Sequence, residues 1–359
     1  MSGTVGTNSS RRSGSIGTAA AGATISASDP AIDTNPADGV GTQWANSTSG
    51  EFYVCTDATA GSNVWTNVGA GTGDIEPWQY GGTNYGYSMG WYPATNQIQK
   101  WSFSSDGDST DAGNLSVTKA HASGAQNATH GYSAGGATGG NVIDKFEFSS
   151  DGDSTDVGNL THTNAHGAAG QSSETHGFAA GGYQALNIEK WAFASDGDAT
   201  NTGELTDDRM ALGAASSTLA GYSAGGHSGP GPRQDIIDKH LFASEGNATD
   251  VGNLHMGIDT GLTGSSSSTY GYAAGGVAHL VSINKWSFSS DGDATDVGDL
   301  TTGTGAYGGD ASSQTYGYCA GGGTPSRDVI DKYSFSSDGA AVDVGNLLAV
   351  TLYNAGTQY

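Results

Sequence analysis

Three separate sequence elements recur in step, six times each, and together they leave this chain few ways to fold. The element G-[YF]-x-[AM]-G puts its aromatic at Tyr87, Tyr132, Phe178, Tyr222, Tyr272 and Tyr318. The element I-x-K-x-x-F puts its lysine at Lys100, Lys145, Lys190, Lys239, Lys285 and Lys332. A third, S-[DE]-G-x followed by a Gly and Leu, ends at Leu115, Leu160, Leu205, Leu254, Leu300 and Leu347. Successive aromatics stand 45, 46, 44, 50 and 46 residues apart. A unit of that length cannot bury both its faces alone and must stack on copies of itself.

Each unit reads as four short strands. In the third these are AHGAAGQSS, THGFAAGG, NIEKWAFAS and TNTGEL, with Ile188 and Lys190 on one face of the third strand and Glu189 and Trp191 on the other. The S-D-G-D link predicts a tight hairpin, since glycine admits positive φ and Asp bonds its own downstream backbone. No window spaces apolar residues at helical intervals. The 60 glycines come with only 7 prolines and no G-X-Y period, so collagen is excluded and an all-β chain is predicted.

The order of these landmarks is similar to that of the kelch repeat: an aromatic, a Gly-Gly doublet, a variable loop, an aromatic strand, then a turn into a fourth strand. The doublets are Gly135-Gly136, Gly181-Gly182, Gly225-Gly226, Gly275-Gly276 and Gly321-Gly322. The first unit departs with Met89-Gly90-Trp91, and the tryptophan of the kelch fourth strand is replaced by V-G-N-L. The resemblance covers 79–359 and implies an all-β, six-bladed kelch-like β-propeller. The first unit lacks a first strand, while LAVTLYNAGTQY continues after the sixth. The expectation is therefore that the C-terminal strand completes blade one, with a non-closing solenoid as the alternative.

Ahead of the repeats, residues 1–25 are small and polar and predict a flexible N-terminal arm. Residues 26–72 predict a small β-meander with strands at GTQWAN, EFYVCT and VWTNV, and the propeller is assigned to 73–359. The phrase W-x-N-x-x-[ST]-G-E-x-[YF]-V-C-T-D resembles segments of bacteriophage virion proteins, tail appendages above all. That likeness implies anchoring to other virion proteins and localisation in the virion. A formal net charge of −24 argues against nucleic acid as a partner. The polar N-terminus shows no secretion signal and no stretch reaches the length of a membrane span, which predicts a chain assembled in the host cytoplasm, with no membrane insertion. Cys55 and Cys319 are too few for a disulfide scaffold.

Two sets of residues are candidates for chemistry. The carboxylates of D-G-D-x-T-D, namely Asp106, Asp108 and Asp111, Asp151, Asp153 and Asp156, and Asp291, Asp293 and Asp296, are oxygen ligands suited to Ca²⁺. The competing reading, a structural acidic hairpin, is preferred, because other units put Asn247 and Ala340 in the same turn. The repeated lysines are expected to pair with carboxylates, Asp111 and its equivalents being at hand. The loops between second and third strands differ in every unit and carry Trp91, Tyr92, Tyr183, His227, Arg233 and Arg327, candidates for stacking on and hydrogen-bonding a glycan. Histidines His121, His130, His166 and His176 fall near the inner strands, but no nucleophile–base pair is marked. The function expected is a phage virion structural protein, a tail or capsid fibre attaching to host glycan, and not an enzyme. A lectin-like module of a non-viral cell is the alternative, and a glycan hydrolase a more distant one.

Overall fold

The computed structural model of the chain describes residues 22–68, 78–163, 166–228, 233–255, 261–276, 280–302, 308–323 and 325–359. The chain divides into two compact units, Met1–Trp78 and Gln79–Tyr359. Every regular element among the described residues is a β-strand, and the strands form seven four-stranded sheets.

One sheet belongs to the first unit. The three expected strands are present as β2 (Gln43–Asn46), β3 (Phe52–Asp57) and β4 (Val64–Asn67), but β1 (Thr24–Ser26) precedes them and pairs parallel with β2. Thr24 and Ile25 therefore lie in the sheet, although the sequence places them in the arm, and residues 1–21 of that arm fall outside the described residues. A three-residue parallel strand carries no alternation and no turn signal, so nothing local announces it. Alternate residues of β3 and β4 bury Tyr53, Cys55 and Trp65, with Trp44 edge-on to Trp65 at 5.9 Å. The asparagine of the W-x-N phrase works as a corner: Asn46 Oδ1 accepts the amides of Thr48 and Ser49, and its Nδ2 donates to Asp29.

The second unit holds six sheets in a propeller-like arrangement. In sheets two to six the strands follow chain order, as in Ser123–Gln126, His130–Ala134, Val142–Glu147 and Thr155–Asn159 of sheet two. Sheet one takes Tyr85–Met89, Thr95–Ser102 and Thr110–Lys119, and its first strand is the C-terminal Ala355–Gln358, antiparallel to Tyr85–Met89.

The recurring residues are those that join one sheet to the next. The aromatic of G-[YF] stacks on the phenylalanine of I-x-K-x-x-F in the following sheet: Tyr132 on Phe193 at 4.8 Å, Tyr222 on Phe288 at 4.8 Å, and Tyr318 of sheet six on Phe103 of sheet one at 4.7 Å. The glycine before that aromatic seats the ring of the neighbouring third strand. A Cβ at Gly177 would lie 2.3 Å from Trp191, and one at Gly317 2.5 Å from Tyr333. The glycine of V-G-N makes room for the next sheet's hairpin, since a Cβ at Gly113 would lie 2.1 Å from the carbonyl of Gly152 and one at Gly345 2.3 Å from that of Gly107. Each core cluster spans two sheets, such as Tyr132, Ile143 and Leu160 with Trp191 and Phe193.

Polar bonds follow the same order. The residue between Ile and Lys accepts a backbone N–H from the sheet before: Gln99 from Leu348, Asp144 from Ser116, Glu189 from His162, Asp238 from Thr206, Asn284 from His255 and Asp331 from Thr301. Along the first strands, Gln126 N–H donates to Ser172 Oγ, Ser172 to Ser216, Ser216 to Ser266, Ser266 to Ser312, and Ser312 to Gln358 Oε1. These side chains are buried, so their satisfaction is required by folding and orients each sheet on its neighbour.

Candidate functional site

The acidic hairpins account for their carboxylates one by one. The first acid of each turn reaches the lysine of the preceding sheet: Asp151 to Lys100, Asp196 to Lys145 at 2.9 Å, Glu245 to Lys190 at 2.9 Å, Asp291 to Lys239 at 2.9 Å, Asp338 to Lys285 at 2.8 Å and Asp106 to Lys332 at 2.9 Å. The second acid accepts from the backbone of the preceding fourth strand, Asp153 from Asn114 at 3.0 Å, Asp293 from Asn253 at 3.0 Å and Asp108 from Asn346 at 2.9 Å. The third turns back on its own strand, where Asp111, Asp156 and Asp296 accept the amide of the glycine two residues on. The lysines thus pair with the first acid of the next hairpin and not with Asp111 and its equivalents. The three carboxylates of one run serve three different partners. Among the described residues no group of three or more His, Cys, Asp or Glu is placed to hold a metal ion.

The face carrying the second-to-third-strand loops is built differently. Tyr92 stands edge-on to Tyr353 at 6.3 Å, and Tyr353 stacks on His121 at 3.6 Å. His121 meets His166 at 5.4 Å, and His166 stacks on Tyr183 at 4.9 Å. Five rings from three sheets therefore form one continuous ribbon. His121 and Tyr353 occupy the left-handed region, with φ of 60° and 63°, at the position where other units place Gly167, Ala211 and Gly261. A ring held there costs on the order of 1 kcal/mol against glycine.

The ribbon borders a cavity of about 60 Å³ at the first strands, lined by His121, Gly124, Gly170, Asp310, Tyr353 and Gly356 among others. That is room for a few waters or an ion, and far too little for a sugar ring. Asp310 stands where equivalent positions hold Gly124, Gly170, Ala214, Gly264 and Gly356. Burial pushes its carboxyl up to about 7, against the amides of Asp310 itself, Gly264 and Gly356 that hydrogen-bond it. At the other end of the first strands, the Tyr80 hydroxyl bonds Gln358, Gln126 and Ser216, and burial raises its pKa. Burial also holds His121 down at about 3, with His166 adding to the effect.

Two buried cations brace this side. Lys119 Nζ sits 3.0 Å from Asp144 and donates to the carbonyls of Ser133 and Val142, which flank the second-to-third-strand loop of sheet two. Arg209 does the same in sheet four, 2.6 Å from Asp238 and donating to the carbonyls of Gly225 and Ile236.

Of the residues the sequence proposes for a ligand, Tyr92 and Tyr183 end the ribbon, and Tyr92 is 60% exposed. The Trp91 ring is buried, 7% exposed, and offers little surface. His227 bridges its backbone to Met210 and to Arg233, and Arg233 is exposed. Arg327 is half-buried within the strand Arg327–Ser334, opposite Gly322 and Thr351. Parts of the other loops, 229–232, 277–279 and 324, lie outside the described residues. Sequence reasoning missed Tyr353 and Asp310 and gave His121 and His166 no role. For Asp310 the available signal was a charged residue in a register otherwise held by glycine or alanine. His130 and His176, by contrast, begin second strands and lie outside the ribbon.

No protein-family model matches this chain, and no curated protein matches it either.

Proposed function

We propose that residues 79–359 close into a six-bladed, kelch-like propeller that acts as a binding module and not as an enzyme, in a phage virion appendage that attaches to host-surface glycan. Closure is supported by every intersheet register that continues from sheet six to sheet one: Lys332 with Asp106, Asn346 with Asp108, Leu348 with Gln99, and the final strand beside Tyr85–Met89. Anchoring through the first unit rests on its resemblance to virion segments.

The observation that carries the binding role is the ribbon Tyr92–Tyr353–His121–His166–Tyr183, with two of its rings at strained positions. Rings of this kind stack on the C–H faces of sugars, and Tyr92 offers the most open one. The small cavity supplies no pocket for a whole residue, so the glycan lies across the face. The test is a glycan array probed with the full chain and with the Tyr92→Ala/Tyr353→Gly variant. Binding should fall tenfold or more while the melting transition is kept. Unchanged binding by the variant would remove the ribbon from the role.

A further inference from the structure

One sheet departs from the other five on the hairpin side. The residue before the glycine of G-[YF] carries a ring in five sheets, at Tyr85, His130, His176, Tyr270 and Tyr316, whereas sheet four has Ala220. Three of those rings roof the lysine of their own sheet: Tyr85 over Lys100 at 4.8 Å, Tyr270 over Lys285 at 4.5 Å and Tyr316 over Lys332 at 4.3 Å. In sheet four Lys239 lies over Tyr222 at 5.7 Å instead.

Beside Ala220 is a cavity of about 280 Å³, walled by Leu219, Tyr222, Lys239, Leu241 and Phe288 among others. Two walls are themselves departures from the repeat. Leu219 replaces the threonine of Thr129, Thr175, Thr269 and Thr315 and is 72% exposed. Leu241 stands where other sheets have Ser102, Glu147, Ala192, Ser287 and Ser334 and is 53% exposed. Sheet four has exchanged a ring with a polar surround for a hollow with leucine walls and an ammonium in its lining.

We propose that this hollow is a binding site for one planar aromatic ring of the phenol class, which takes the place that tyrosine fills in sheets one, five and six. The lysine supplies the same cation–π partner, and the electron-rich face of a phenol complements it. Leu219, Leu241 and Phe288 cover the remaining apolar surface of the ring. The volume exceeds the roughly 150 Å³ at which an apolar cavity takes up benzene, so a ring with one substituent fits. The site is independent of the aromatic ribbon and of glycan binding.

The probe is p-cresol, the tyrosine side chain as a free molecule, titrated into the full chain and followed by saturation-transfer NMR. Saturable binding with a Kd on the order of 1 mM is expected for so few atoms. The saturated analogue 4-methylcyclohexanol, which lacks the π face, should bind about threefold weaker or worse. Ala220→Tyr fills the hollow and should abolish binding with no loss of Tm. Leu219→Thr/Leu241→Ser restores the polar rim of the other sheets and should weaken binding about fivefold. The double variant decides the matter should Ala220→Tyr lose its cooperative melt. The proposal is overturned by an absence of saturable binding to the wild type at about 10 mM, by equal affinity for the saturated analogue, or by p-cresol affinity unchanged in the filled or re-polarised variant.

Discussion

The two sides of the second unit use charge in opposite ways. On the hairpin side a few bonds are repeated around the sheets, carboxylate to lysine and carboxylate to amide, half-exposed and individually weak. On the loop side the charged groups are singular: Lys119 with Asp144 and Arg209 with Asp238, both pairs fully buried, and Asp310 among glycines. Repetition appears where every sheet faces the same neighbour. Singular residues appear where the fold leaves a loop free to differ, and it is there that the ribbon of rings is found.

The largest difference is expected on removing one cation from each side. Lys119→Met leaves Asp144 buried without its partner and should cost about 3–5 kcal/mol. Lys332→Met removes a pair whose aspartate is 39% exposed and should cost about 1 kcal/mol or less. Urea denaturation of the full chain measures both. Equal costs would mean that the loop side is no more tightly braced than the hairpin side.

A second test asks whether pH sensitivity resides at the loop side. Asp310 titrates at about 7 when folded and near its ordinary 3.8 when unfolded, so its protonated form favours the folded state. That stabilisation is complete below pH 4 and is lost as pH rises through 7. Asp310→Asn should flatten this decline, by about 2 kcal/mol given partial access of water to the cavity. His121 has the opposite sign: held at about 3 when folded against an ordinary 6.5, it costs stability as pH falls from 6.5 towards 3. His121→Gly should relieve that acid-side loss, glycine being at ease with the local φ. Thermal melts from pH 4 to 8 separate the two, and pH profiles unaltered in both variants would place the sensitivity elsewhere.

The smallest effect is expected in the acidic turns. Where the second acid of the hairpin is missing, the residue facing it has changed too: Glu204 donates its amide to Asn247, and Asp299 stands in the register opposite Ala340. No like charges are brought together. Ala340→Asp should therefore cost about 0.5 kcal/mol at low salt, fade at high salt, and turn neutral or stabilising when combined with Asp299→Asn. A cost that persists in the double variant would separate these turns from intersheet pairing.

The all-β class, the repeat and its six copies were legible in the sequence because each marker meets the same demand in every sheet. Gly113 and its equivalents must admit a neighbouring hairpin, and Tyr132 and its equivalents must stack on a phenylalanine of the next sheet. The variable residue of I-x-K was not read from the sequence: Gln, Asp, Glu and Asn all accept a hydrogen bond, but a run of acceptors names no donor. The donor lies 27 to 32 residues earlier in five sheets and in the far C-terminal segment for Gln99, a separation that only the pairing of sheets can bring together.

Tertiary structure alone decided the rest. Trp91 and Tyr92 are adjacent in the chain, and either could have stacked on a sugar; the turn that follows Tyr85–Met89 buries one and exposes the other. Tyr353 comes from the last segment and His121 from the junction of the first two sheets, and no spacing in the sequence predicts a contact at 3.6 Å. Local propensity and period specify what a segment is, because they act through neighbours a few residues away. Which residues share a face across sheets depends on how the sheets are registered around one another, and that is set by the summed contacts of all of them.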